Sequence, residues 1–260
     1  MQNASANAGH PVPVVPYDTS GRSLLGRGYI VMQRMPGISL LDTLMADPAG
    51  TAEMASKALG STQARIHALD ANDMIVALEH SGISARSYTP FSRVDDLARL
   101  ADASGNPVIT ALAKWLSDNR PADPVKLSLC HGDFHPGNIL MEDGHVTGVI
   151  DWGNFAIGHA DYDVAITRFL LSIGPIEDSP VPGEQIEELV RKIVLGYDAA
   201  YAEIRTVNES LIDYFTALRV SHAMGKVLGG RRRRRHPRHG TRGVRMGDSR
   251  DLQPDAPAVT

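Results

Sequence analysis

Four polar residues stand at a spacing that could do chemistry: His131, Asp133, Asn138 and Asp151, in the pattern H-x-D-x4-N-x12-D. Moving a phosphoryl group from a nucleoside triphosphate asks little covalent chemistry of a protein and much positioning. One carboxylate has to lie beside the attacking hydroxyl. Two further oxygen ligands have to hold Mg2+, which takes hard oxygen donors, against the phosphates. Taken singly, an Asp or Asn in a loop is a turn residue or a cap. Here Asn138 ends one loop and Asp151 opens the next. Between them, Ile139-Leu140-Met141, a Glu142-Asp143-Gly144 turn and Val146–Ile150 read as a β-hairpin, which brings its two ends together. His131 reads as a structural loop histidine, His135 as incidental, and Cys130 as a small buried apolar residue. A hydrolytic metal cluster of His131, Asp133 and His135 is the competing reading, but no second cluster with metal-ligand spacing accompanies it.

Several elements must position these residues. Residues 1–21 are rich in Pro, Gly, Ser and Asn and read as irregular. Tyr29–Met32 is a short strand running into a Pro36-Gly37 turn. Ser39 opens a helix with Asp42 as capping partner and Pro48 as its stop. A longer helix begins at Thr51, with Ala55, Ala58, Leu59, Thr62, Ile66 and Leu69 on its buried face. Ser92 with Asp95 repeats the capping pattern before Val94, Leu97 and Leu100. Pro107 sits as a first helical residue before Val108, Ile109, Leu112, Trp115 and Leu116. Leu127–Cys130 reads as a strand. Beyond Asp161 two amphipathic faces follow: Ile186, Leu189, Val190, Ile193, Val194 and Tyr197, then Leu211, Phe215, Leu218 and His222.

The composition excludes some classes. The 260 residues carry a net charge of −4 and one cysteine, so no internal disulfide forms, as suits a reducing cytoplasm. No run approaches the ~20 apolar residues of a membrane helix, and no secretory signal opens the chain. The near-neutral sum hides an acidic body and a basic tail, since residues 231–260 hold nine Arg and three Asp. A run such as Arg231–Arg235 reads as a solvated, disordered segment. It lacks the interleaved aromatics of a nucleic-acid site, so residues 231–245 are the only hint of such a partner. The abrupt change of composition is also compatible with a frameshift.

The segment Cys130-His-Gly-Asp-Phe-His-Pro-Gly-Asn-Ile-Leu, with Val149-Ile-Asp-Trp after it, closely resembles the aminoglycoside phosphotransferase and choline kinase-like family. The resemblance implies an α+β, protein kinase-like fold in which residues 38–228 form the helical lobe. Residues 1–28 would be a remnant of the nucleotide lobe, 29–37 the linker between lobes, and 229–260 a tail. It makes Asp133 the catalytic base and Asn138 and Asp151 the Mg2+ ligands. His131 and Asp163 become supports of the site, with Asp163 capping a helix and bracing the catalytic loop. Where the family has an acidic residue, this chain has His159. The linker segment would hold adenine, with Met32 lining the pocket and Gln33 and Met35 offering backbone groups. ATP and Mg2+ are thus the implied cofactors and a small-molecule hydroxyl the implied substrate.

The resemblance also requires a glycine loop over the phosphates and a strand lysine on them. No lysine precedes Lys57, and Gly26-Arg27-Gly28 is too short to be such a loop. The expectation is therefore that this polypeptide alone binds ATP poorly and transfers phosphate slowly. A non-catalytic, pseudokinase-like binding module or a fragment of a damaged gene are the alternatives. The acidic residues of the late helices, Glu184, Glu187, Glu188, Asp198, Glu203, Glu209 and Asp213, could attract a cationic acceptor, but read more simply as solvated helix faces.

Overall fold

The β-hairpin that the site hangs on forms as the sequence predicts. In the computed structural model, which describes residues 11–18, 29–173 and 183–233, Ile139–Glu142 pairs antiparallel with His145–Val149. Asp143 and Gly144 both have positive φ (49° and 76°), the backbone of the tight turn that matches strand twist. A bulge opposite Leu140 and Met141 shifts the register by one residue. It lies beside Thr147, whose hydroxyl donates to the Pro36 carbonyl at 2.7 Å.

In chain order the strands are β1 (Tyr17–Asp18), β2 (Ile30–Val31), β3 (Ile38–Ser39), β4 (Ser128–Cys130), β5 (Ile139–Glu142), β6 (His145–Val149) and β7 (Ala156–Gly158). They form three small antiparallel sheets, β1-β2, β3-β5-β6 and β4-β7. The helices are α1 (Leu40–Ala46), α2 (Pro48–Ala68), α3 (Asn72–His80), α4 (Ser92–Ser104), α5 (Pro107–Asp118), α6 (Ala160–Ser172), α7 (Gly183–Ala202) and α8 (Glu209–Arg233). Among the described residues no helix is long and apolar enough to cross a membrane.

Helix starts follow their capping chemistry, with informative departures. Ser39 caps α1 as its sequence predicts, accepting from the Asp42 N–H at 3.0 Å and donating to its carboxylate at 2.7 Å. Pro48, expected as a stop, instead opens α2 as its first residue, and Asp47 rather than Thr51 marks the start by accepting from Gly50 N–H at 3.0 Å. Ser92 does not cap α4: that role falls to Phe91, and the Ser92 hydroxyl donates to the Thr89 carbonyl. Asn106 caps α5 through Val108 N–H. On α5, Ile109 and Leu116 are buried as expected, whereas Val108 and Trp115 are exposed. The opening stretch is not all irregular. Residues Tyr17–Asp18 pair with β2, Pro11 accepts from Val149 N–H at 2.6 Å, and Val12 is buried in the core. Helix α8 runs through Gly229-Gly230 to Arg233, past the expected end of the helical pattern. Arg22, Gly26-Arg27-Gly28 and the tail beyond Arg233 lie outside the described residues.

The core sits where α2 crosses α7. Leu59, Ile66, Tyr197 and Tyr201 are fully or almost fully buried there. The helices approach closely because each offers a glycine. A Cβ on Gly60 would collide with the Tyr197 carbonyl oxygen, and one on Gly196 with the Ser56 hydroxyl. Overpacking a tight contact commonly costs about 1–3 kcal/mol. Gly60→Ala should therefore lower the unfolding free energy by that amount and move the urea midpoint down accordingly, although alanine is the better helix former. An unchanged midpoint would show that the crossing is looser than this geometry requires.

Candidate functional site

The loop between β4 and β5 carries Asp133, and its shape is set by a buried carboxylate. Asp163, fully buried in the first turn of α6, accepts from His131 N–H through Oδ2 and from Gly132 N–H through Oδ1, both at 2.7 Å. Its Oδ2 also takes His67 Nε2 at 3.0 Å. Because an ionised carboxylate only accepts, His67 carries its proton on Nε2 and its Nδ1 accepts from the Tyr201 hydroxyl at 2.7 Å. The α6 N-cap is His159, so Asp163 does not cap the helix; it braces the loop from inside the first turn. His159 Nε2 meets the Ala122 carbonyl at 2.9 Å. A second polar ladder runs parallel: Tyr197 hydroxyl to Gln63 Oε1, Gln63 Nε2 to Thr167 Oγ1, and Thr167 hydroxyl to the Phe134 carbonyl.

Gly132 has φ +77°, and a Cβ there would run into the Asn154 carbonyl. This close approach is what lets Asn154 Nδ2 reach Asp133 Oδ2 at 3.4 Å, while Arg219 Nη2 of α8 reaches Asp133 Oδ1 at 3.3 Å. Sequence reasoning assigned no role to Asn154, Arg219, His67 or Tyr201. The one signal available was polar Gln63 and His67 four residues apart on the apolar face of α2.

The hairpin brings Asn138 and Asp151 together. Ile139 pairs with Val149, and one step beyond, Ile150 N–H donates to the Asn138 carbonyl at 3.0 Å. Asn138 Nδ2 donates to the Asp133 main-chain carbonyl at 2.9 Å and lies 3.1 Å from His135 Nε2, so His135 is tied into the loop rather than incidental. The Asn138 side-chain oxygen and the Asp151 carboxylate have no hydrogen-bond partner among the described residues. Asp151 is exposed and left-handed (φ 60°, ψ 61°), a conformation that costs a non-glycine residue about 1–3 kcal/mol. Two hard oxygen donors without protein partners beside one carboxylate are a donor set that fits a divalent ion such as Mg2+.

His131 is buried between Phe134 and Trp152, its Nε2–H donating to the Ile150 carbonyl at 2.8 Å and its Nδ1 unpartnered. In the linker, Met32 and Gln33 are exposed and Met35 packs on Gly148. The Gln33 N–H is already given to the Val14 carbonyl at 2.8 Å, which leaves only its carbonyl to offer. The buried trio His67, Cys130 and Asp163 could be taken for metal ligands. Burial, with Asp163 nearby, pushes the Cys130 thiol up, and both ring nitrogens of His67 are engaged, so the trio is a hydrogen-bonded core.

Two groups here make stability depend on pH. Burial holds His131 below its ordinary 6.5, against the pull of Asp163. Its contribution is whole above pH about 6.5 and is lost as the pH falls towards the depressed folded value. Burial alone would push the Asp163 carboxyl up, but His67 and the His131 N–H outweigh this and hold it below the usual carboxylate range. Its contribution is present above the unfolded carboxylate value and is lost at still lower pH. Denaturant melts across pH should thus weaken in two stages on acidification, and His131→Phe should flatten the first. Asp163→Asn, which turns an amide towards two N–H donors, should cost about 3–5 kcal/mol at neutral pH.

Comparison with known proteins agrees with this geometry. Acyl-CoA dehydrogenase family member 11 of Gallus gallus is 31% identical over 170 residues, covering 64% of this chain and 21% of that protein. Family member 10 of Mus musculus is 28% identical over 193 residues, covering 68% and 17% respectively. The chain thus spans about a fifth of the length of these curated relatives. Among solved structures, an aminoglycoside-3'-phosphotransferase of type VIII superposes with a TM-score of 0.58 at 21% identity, covering 85% of this chain and 77% of that one. Aminoglycoside phosphotransferase APH(3'')-Id from Streptomyces rimosus gives 0.56 at 17% identity, covering 85% and 78%. These likenesses show the α+β, protein kinase-like fold. A sequence model described as the phosphotransferase enzyme family matches residues 1–205, and the chain belongs to that family.

Proposed function

We propose that this chain is the helical lobe of an ATP- and Mg2+-dependent O-phosphotransferase acting on a small-molecule hydroxyl. The observation that carries the reading is that the open end of the hairpin joins Asn138 to Ile150, the neighbour of Asp151, while the Asn138 side chain bonds the Asp133 main chain, so that these three residues meet at one end of the hairpin. A solved relative of the same fold, amicoumacin kinase hAmiN, is described in complex with AMP-PNP, Ca2+ and its antibiotic, at a TM-score of 0.55 and 17% identity.

In this reading Asn138 and Asp151 would hold the divalent ion. The linker residues Met32, Gln33 and Met35 would border the adenine, with the Gln33 carbonyl rather than its N–H turned to it. Bound Mg·ATP supplies the γ-phosphoryl group, whose new P–O bond to the acceptor oxygen forms as the bond to ADP breaks. Asp133 accepts the acceptor's hydroxyl proton on a carboxylate oxygen, and Asn154 and Arg219 fix that carboxylate's direction. General-base catalysis of this kind contributes about 10²–10⁴ in rate.

Calorimetry of ATP with and without Mg2+, and transfer of labelled γ-phosphate to an acceptor panel, test the reading. Asp133→Asn should reduce transfer about 10²–10⁴-fold and leave Mg·ATP binding intact. Asp151→Asn should weaken the Mg2+ dependence of binding itself. Mg·ATP binding without transfer to any acceptor would mark a binding module instead. Binding indifferent to Mg2+, or transfer indifferent to Asp133→Asn, would remove the assignment.

A further inference from the structure

The charges around Asp133 are not those that a polycationic acceptor needs. Arg219 reaches Asp133 at 3.3 Å, and its side chain keeps 18% exposure beside 23% for Asp133, so both border the open site. Asn154 already orients the other carboxylate oxygen, so orientation alone does not call for a full positive charge. One N–H of the guanidinium fork is spent on Asp133. Nε is buried without a partner, and Nη1 has no hydrogen bond among the described residues. Arg93 of α4 donates through Nη2 to the Asn154 carbonyl at 3.3 Å.

Three of the acidic residues that could have collected a cationic acceptor are already held by cations of this chain. Arg168 holds Asp198 at 2.8 Å and Glu209 through two nitrogens at 2.7 and 2.9 Å. Arg191 and Lys192 hold Glu188. Glu187, Glu203 and Asp213 are exposed. A planar guanidinium with unspent donors is suited to carboxylate or phosphate oxygens, and it repels ammonium groups.

We propose that Arg219 receives an anionic group of the acceptor, so that the molecule phosphorylated is a hydroxyl compound carrying a carboxylate or phosphate near that hydroxyl. This rests on the phosphotransferase reading and specifies its substrate class. Arg219 is then a specificity residue: it ties the acceptor's anion to the same fork that steadies Asp133, and so places the hydroxyl beside the base.

The test uses the full chain with Mg·ATP analogue present and calorimetric binding of matched pairs: 3-hydroxybutyrate against 3-hydroxybutyramide, glycerol 3-phosphate against glycerol, and a 2-deoxystreptamine aminoglycoside. The anionic member should bind about tenfold or more tightly in at least one pair, and which pair separates carboxylate from phosphate. Arg219→Gln should equalise the pair, Arg219→Lys should keep part of the preference, and Arg191→Gln, on the exposed face of α7, should leave it unchanged. Equal or absent binding of both members, tighter binding of the aminoglycoside, or a preference that survives Arg219→Gln would overturn the proposal. Mg·ATP binding and Asp133-dependent transfer are measured in the same samples. Their failure removes the phosphotransferase reading, whereas their success without anion preference removes only this inference.

Discussion

The site depends on one buried negative charge. Asp163 is wholly removed from water, and an isolated carboxylate so placed would cost several kcal/mol. Three donors offset that cost: the main-chain N–H groups of His131 and Gly132, and the ring of His67. Two of these donors are successive backbone groups, so the carboxylate does more than find partners. It fixes the direction of the chain just before Asp133. The left-handed turn at Gly132 follows from that grip, and with it the contact between the loop and Asn154. His67 extends the constraint to Tyr201, which ties the loop to the crossing of α2 and α7, the best-packed part of the core. Burial keeps the Tyr201 phenol protonated, so it remains a donor to His67.

The hairpin acts as a ruler on this fixed base. Its two-residue turn and single bulge set which residues face each other, and the pairing of Ile139 with Val149 leaves Asn138 and Ile150 joined at the open end. Asp151 then has to turn sharply out of the strand, and its left-handed backbone is the strain that results. Trp152 steadies the turn by donating Nε1–H to the Val149 carbonyl at 2.9 Å. The linker is held to the same hairpin through Thr147 and Pro36, and by the absence of side chains at Gly37 and Gly148, where a Cβ would press on Met141 and Met35. The linker residues and the hairpin-end residues Asn138 and Asp151 are in this way referred to one small sheet.

What was legible in the sequence was what is local. The turn at Asp143-Gly144, the cap at Ser39 and the hairpin that separates Asn138 from Asp151 are all set by near neighbours in the sequence. What was not legible is contact across the chain. His67 meets Asp163 over 96 residues and Tyr201 over 134, and Arg219 meets Asp133 over 86. No periodicity carries such pairings, because a polar residue on an apolar face announces only that it needs a partner. The misplaced starts of α2 and α4 have a different cause. Pro48 fits both the end of one helix and the first turn of the next, and Ser92 finds a carbonyl of the preceding turn more accessible than an N–H of its own helix.

The unsatisfied and strained groups are not scattered. Among the described residues the two buried side-chain atoms without a partner are His131 Nδ1 and Arg219 Nε, and both belong to residues that flank Asp133. Of the two non-glycine residues with positive φ among the described residues, one makes the hairpin turn and the other is Asp151. Asn138 and Asp151, whose side-chain oxygens have no partner among the described residues, sit at the open end of the same hairpin. Elsewhere the buried polar groups are paired: Gln63 with Thr167 and Tyr197, Ser128 with the His67 carbonyl, Tyr214 with the Leu116 carbonyl. A fold selected for stability alone would not concentrate its deficits, since each costs on the order of 1–3 kcal/mol. Their gathering around one carboxylate, on a base held by Asp163, is what a surface prepared for ligands that complete it requires. The rest of the molecule supplies the packing that tolerates it.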